Sequence, residues 1–348
     1  MNPILTAIIA ILVFGFLILI HELGHYTTAR IFNVTIDEFS IGMGPRVFSR
    51  TSKKTGIRYS IAAFPLGGFV AMAGEAEESD DPNSFDKKPA WQRFIITAAG
   101  ATVNLVAGFI VVIILTSITN IAGTTVAGFV DHDKYGYDVS TEGVLMEGDV
   151  ITHVDGNRVR ILDELNYQLM RRGTKPIDIT VRRGGEVITL PDVVLPTVEQ
   201  DGETFGMRDF YIYTTEKNLG TVISYSFSKS ALIVRMCWES IIDLITGRYS
   251  LSAVSGPVGI SSAIGEAASQ GIAPFLYIFA LISINLGFMN LMPIPALDGG
   301  RLLATTVEMI TRKKLPAKIE NTINGIGLII LLGLSVLIMI KDVFQLIF

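Results

Sequence analysis

His21 and His25, four positions apart with Glu22 beside them in the sequence HELGH, combine residue types and spacing that could do chemistry. On a helix, residues i and i+4 share a face, so both imidazoles can grip one zinc ion while Glu22 is placed to take a proton from a water. The pattern points to hydrolysis. HExxH also occurs in helices that bind nothing, so its setting matters. The motif lies in an apolar run, residues 4–29, with no charged residue from 4 to 20. About 20 helical residues cross ~30 Å of hydrocarbon, and ionisable side chains at such depth face a protein interior, a cavity or a metal.

Catalytic zinc normally takes three protein ligands and keeps one position open. The candidate for the third is Asp298, in NLMPIPALDGGR. Pro293 and Pro295 must break the apolar helix that precedes them, and Gly299 and Gly300 allow close backbone approach. A carboxylate beside a discontinuous intramembrane helix is a functional-site candidate. Capping of a helix starting near Gly299 is the alternative. It would leave the two prolines and the deep placement of Asn285 and Asn290 without a purpose. Asn104, in GATVN, has two readings of equal standing: an interhelical hydrogen bond, or an amide aimed at a substrate carbonyl or its developing oxyanion.

Composition places these residues in a membrane protein. Of 348 residues, 49% are hydrophobic and 18% charged, and the mean hydropathy is +0.48, much more apolar than an ordinary soluble domain. A net charge of -5 without a basic block gives no support for nucleic acid as a partner. The single cysteine, Cys237, forbids an internal disulfide and reads as a packing residue. The N-terminal run has no basic region before Ile4 and continues through HELGH, so it reads as a retained span.

The elements that must position the site follow in order. Four membrane-crossing helices are expected at about 4–28, 91–119, 274–293 and 325–346. The stretch from 30 to 90 carries Arg30, Arg46, Arg50, Lys53, Lys54, Arg58, Lys87 and Lys88, which puts it in the cytoplasm. Within it, residues 57–73 read as short apolar strands turned around Pro65, Gly67 and Gly68. This hairpin has two readings, one dipping toward the membrane and one cytosolic. Residues 122–200 have soluble composition, with β-rich pieces around a helical pattern at 162–171, and form one small module. His132 and His153 there have no partner at metal-ligand spacing. Residues 201–271 read as a linker with amphipathic helices. Charges at Lys229, Arg235, Glu239 and Asp243 favour an interfacial helix at 219–245 over a fifth crossing. Four spans also return Arg301, Arg312, Lys313, Lys314 and Lys318 to the side of the first basic stretch.

The chain resembles the site-two protease family of intramembrane zinc metalloproteases, in particular the bacterial regulator-of-sigma-E protease branch, over essentially its whole length. The family's HExGH motif matches His21, Glu22 and His25, its LDG motif Leu297, Asp298 and Gly299, and its asparagine with two spaced prolines Asn290, Pro293 and Pro295. Gly100, Asn104 and SGPVGI at 255–260 match further motifs. The resemblance implies a polytopic α-helical membrane protein of four transmembrane helices, with a membrane-associated β-hairpin and an inserted extracytoplasmic PDZ-like domain. Two-PDZ relatives differ, since 122–200 has room for one. It implies one zinc per chain on His21, His25 and Asp298, Glu22 as catalytic base, and substrate positioning by Asn104, Asn290, Pro65, Leu66, Gly67, Gly68 and Phe69.

The implied substrates are single-span membrane proteins, such as anti-sigma factors or remnant signal peptides, cut within the bilayer after a first cleavage by another protease. The implied location is the bacterial cell membrane, with the N-terminus, the PDZ-like domain and the C-terminus outside the cytoplasm. Rival classes are a transporter, which inverted repeats would favour and whose matching halves are missing here, and a PDZ-bearing scaffold, which leaves HELGH without work. A membrane-tethered zinc protease acting on soluble or misfolded peptides keeps the chemistry and changes the substrate.

Overall fold

Asn2 opens the first helix, its side-chain oxygen accepting the Ile4 N–H at 2.9 Å while Pro3 takes a position where a missing N–H costs nothing. The helix, α1, runs over Pro3–Ile31. The computed structural model describes residues 2–75, 77–131, 141–200, 203–248, 254–314 and 316–347. The chain divides into two units, Met1–Val111 with Val234–Phe348, and Val112–Ile233.

In the first unit α1 is followed by strands β1 (Ile36–Thr51) and β2 (Arg58–Met72), then α2 (Ala90–Ile118), which runs on into the second unit. Later come α5 (Pro257–Gln270), α6 (Ile272–Leu291), α7 (Asp298–Thr311) and α8 (Ala317–Ile347). Among the described residues, four helical stretches are long and apolar enough to cross a membrane: Pro3–Ile31, Ala90–Ile118, Ile272–Leu291 and Lys318–Asp342. Their outward faces are apolar. On α8, Ile326, Ile329, Ile330 and Leu337 are all more than half exposed, a surface that water disfavours and hydrocarbon accepts. Inside, Ala10, Val13 and Leu17 of α1 pack on Ile264 of α5, with Phe275 and Phe279 of α6 against them.

The hairpin differs from the expected one. Its reversal lies at residues 52–57, where Ser52 N–H donates to the Ile57 carbonyl, and its strands cover the whole of 36–72. Residues 64–68 form no turn of their own but a bend within β2. The antiparallel ribbon folds back on itself there, so Glu38 to Ile41 are registered both with residues 68–71 and with residues 58–61. Gly42, Gly44 and Gly67 take positive φ along the bend, a backbone that L side chains resist. A buried carboxylate locks the fold-back: Glu38 accepts two bonds from Arg46, at 2.8 and 2.7 Å, and one from Ser60 at 2.6 Å. Arg46, then Ser60, hold the Glu38 carboxyl below its ordinary range.

The second unit is a sheet in the order β10-β3-β4-β6-β7, built from β3 (Ala122–Phe129), β4 (Val150–Val154), β5 (Asn157–Arg158, paired with β4), β6 (Ile177–Arg183), β7 (Glu186–Val193) and β10 (Phe210–Thr214). Helix α3 (Leu162–Arg172) accompanies it, and β8 (Thr197–Gln200) pairs with β9 (Glu203–Gly206). Alternating inward residues, Ile177, Ile179 and Val181 among them, close a core with Val126, Ile151, Leu165 and Phe210. A boundary at residue 200 is therefore too early, because β10 pairs with β3 and belongs to the same sheet. Helix α4 (Leu219–Thr246) is one unbroken element that begins in this unit. Its Tyr225 hydroxyl and Lys229 ammonium bind Asp163 of α3 at 2.5 and 3.0 Å. His153 Nδ1 lies 3.1 Å from Thr152 Oγ1, while His132 is outside the described residues.

Candidate metal centre

His21 and His25 project from the same face of α1, their ring centroids 4.8 Å apart. Both are buried. Their Nε2 atoms are 3.2 Å apart, and Asp298 Oδ2 lies 3.0 Å from that of His21 and 3.3 Å from that of His25. Ligand atoms of tetrahedral zinc, at bonds of about 2.0–2.1 Å, stand roughly 3.3 Å from one another. The triangle has that size. Asp298 Oδ2 is buried yet makes no hydrogen bond of proper geometry, as expected of an acceptor aimed at a shared point. Among the described residues this is the one cluster of three or more such side chains able to hold an ion.

Local backbone devices bring the three together. His25 Nδ1 donates to the Ile96 carbonyl of α2 at 2.9 Å, which leaves its Nε2 lone pair free. Gly24 lets α1 approach α2 closely, since a Cβ there would stand 2.6 Å from the Ala99 carbonyl oxygen. A Cβ on Gly100 would overlap His25 Nε2 and stand 2.8 Å from His21 Nε2. Asp298 is the first residue of α7, and Leu297, at the cap position, supplies no capping bond. Asp298 is therefore not the residue at the cap position, which the capping alternative requires. Gly299 sits against the Met292 carbonyl, where a side chain would overlap it. Ala296, just before the motif, holds a φ of 71°, and its N–H donates to Asn324 Oδ1 of α8 at 3.2 Å. Asn324 had escaped notice in the sequence, where nothing separates it from other polar residues of a helix start.

Glu22 is half-buried beside the histidines. Its Cγ would lie 3.3 Å from a Cβ on Gly68 of β2, so the strand passes directly by the carboxylate-bearing side chain. Gly67 takes positive φ against the Met43 side chain, and Phe69 is exposed. The side chains of Pro65 and Leu66 are outside the described set. Asn104 Nδ2 lies 3.3 Å from His21 Nδ1. Asn290 is buried at the end of α6 and makes no hydrogen bond to His21, His25 or Asp298. Cations tie the surroundings together: Arg93 to Glu308 at 2.5 Å, Lys314 to the Asp86 carbonyl at 3.2 Å, and Arg301 to Glu75.

Residues 9–334 match the model of a protein family described as Peptidase family M50. The chain belongs to that family. As a member of that family it is a metalloprotease, and its long apolar helices fit a membrane protein. Among relatives of this M50 peptidase is a Clostridium perfringens protein named "Putative zinc metalloprotease CPE1693", 34% identical over 337 residues that cover 97% of this chain and 98% of that protein. A Fusobacterium nucleatum zinc metalloprotease of the same description, FN1322, is 34% identical over 351 residues, 98% of this chain and 99% of the relative. Regulator of sigma-W protease RasP of Bacillus subtilis is 26% identical over 421 residues, 97% of this chain and 98% of RasP.

Proposed function

We propose that this M50 chain is an intramembrane endopeptidase, cutting peptide bonds within or near the transmembrane segment of single-span membrane proteins, with one zinc held by His21, His25 and Asp298. The observation that carries the reading is the convergence of Glu22, the three ligand atoms and the β2 strand at Gly68 on one place in an apolar span. Zinc, when bound, supplies Lewis acidity that makes water a nucleophile near neutral pH. The chain's own residues do the rest. Glu22 accepts the proton of the attacking water on its carboxylate and returns it to the leaving amine. Residues 68–71 of β2 are registered with β1 on one side, which leaves an edge able to take an unwound substrate as an added strand. A helical substrate must unwind first, because its carbonyls are bonded within the helix.

On this reading the substrates are of the anti-sigma-factor type, or remnant signal peptides. The name of RasP, a sigma-W regulator, is in keeping with the first of these. The Val112–Ile233 unit reads as PDZ-like, with one helix against an antiparallel sheet, and works as a size filter against bulky ectodomains. Glu22→Gln should keep zinc while cleaving a purified single-span substrate on the order of 100-fold more slowly or worse. Near-normal cleavage by that variant, with no other protease in the mixture, would defeat the mechanism.

The two basic stretches support one orientation. Arg301 and Lys314 bond to Glu75 and to the Asp86 carbonyl, so the stretch after α6 lies beside the one before α2, as an even number of crossings between them requires. The positive-inside rule puts both in the cytoplasm, and the N-terminus, the sheet unit and the C-terminus outside. A cysteine placed at Glu186 in a Cys237→Ser background should react with an impermeant reagent on intact cells; protection until the membrane is opened would reverse the topology.

A further inference from the structure

We infer that Asn104 is a positioning residue for the metal, holding the His21 ring so that its Nδ1 keeps the proton and its Nε2 lone pair faces zinc. The inference rests on the ligand set proposed above. A histidine that ligates through Nε2 must carry its hydrogen on Nδ1, and a fixed acceptor there sets both tautomer and ring angle. His25 has such an acceptor in the Ile96 carbonyl, at 2.9 Å. For His21 the group in that place is the Asn104 amide, 3.3 Å from Nδ1 and fully buried. With its nitrogen toward the ring, the amide sets donor against donor, and its Oδ1 is buried without a partner. The two ends of an amide fill nearly the same space, so the network decides between them. One end goes unpartnered in either orientation, and it is therefore the imidazole that chooses. A ligating His21 needs an oxygen, and Asn104 turned by half a rotation presents Oδ1.

The placement on α2 supports this reading. Residues 96, 100 and 104 recur every fourth position and share one face. The first accepts from His25, the middle one has no side chain because both rings occupy its space, and the last meets His21. Asn104 is held at that depth by α6. Ser283 Oγ donates to the Asn104 carbonyl at 2.8 Å, and Gly287 lets α6 close on α2, where a Cβ would stand 2.8 Å from the Ala101 carbonyl oxygen.

The competing role, donation of the amide N–H to a developing oxyanion, makes opposite demands. Zinc dissociation constants, measured in detergent by competition with a chromophoric chelator, separate the two for the parent, Asn104→Leu and Asn104→Asp. The Leu variant, which has no acceptor, should bind zinc on the order of 10–100-fold more weakly. The Asp variant, which keeps an acceptor, should bind it about as tightly as the parent. Parent-like zinc affinity in Asn104→Leu would overturn the inference, most pointedly if cleavage falls in both variants, as an oxyanion donor requires. Asn104→Ala, which demands no extra space, gives the same readout should the Leu protein fail to run as a single species on size exclusion. A parent that binds no zinc at all would instead sink the metal site itself.

Discussion

The two units put the same kinds of residue to opposite use. In Val112–Ile233 the large apolar side chains are hidden: Leu145, Ile151, Leu165, Ile179 and Phe210 are essentially unexposed, and water meets the polar faces of the strands. In the other unit, leucines and isoleucines line the outside of the helices, while His21, His25, Asn104, Ser283 and Glu38 are within. Apolar burial drives the first fold, as in any soluble domain. In the second, hydrocarbon removes that drive between helices, and close packing through Gly24, Gly100 and Gly287 with buried polar bonds takes its place. Stability and chemistry are thus separated in the first case and joined in the second, where the groups that pack the helices also hold the site.

That separation can be broken or sharpened by single changes. The largest effect is expected from Gly100→Ala. One methyl group displaces the His25 ring from its place against Ile96, and zinc affinity should fall on the order of 100-fold or more, while unfolding of the Val112–Ile233 sheet, followed by hydrogen exchange, stays as in the parent. If the sheet loosens together with the site, the two regions are not energetically separate.

A smaller effect of the opposite distribution should follow from Arg183→Ala. Asp149 is buried, and Arg183 binds it through two bonds of 2.8 Å each. Removing the guanidinium strands the carboxylate at a cost of about 3 kcal/mol, read as lost exchange protection in β4 and β6, with zinc affinity unchanged. Acid sharpens the test. Burial opposes the charge on Asp149, but Arg183 and the Met146 N–H outweigh it and hold the carboxyl below its ordinary value. A depressed folded-state value contributes stability above the ordinary carboxylate range near pH 4 and loses it as pH falls through the folded value. The parent sheet should therefore weaken on acidification below about pH 4, and the Arg183→Ala sheet much less.

The sequence marked the candidate ligands more clearly than the elements around them. Four spans were legible because a hydrocarbon crossing demands a long uncharged run, and His21, His25 and Asp298 stood out because charge in such a run is costly. The strand pieces of the second unit showed their alternation, but its extent did not, since β10 joins β3 across some 80 residues and nothing local marks the pairing. The reversal of the hairpin was misplaced for a related reason. Pro65, Gly67 and Gly68 signal a turn locally, whereas the double registration of residues 38–41 is a tertiary choice held by Glu38, Arg46 and Ser60. Asn104 was visible as a buried amide, but only the position of its two ends relative to His21 distinguishes a ring-holder from an oxyanion donor.

The central claim is that a carboxylate some 270 residues away in sequence completes the HELGH site. Zinc content and affinity of the purified protein in detergent, parent against Asp298→Ala, test it most directly. The account predicts one zinc per parent chain and its loss from the variant at zinc concentrations that saturate the parent. An Asp298→Ala protein that holds one zinc with the parent's affinity would contradict it.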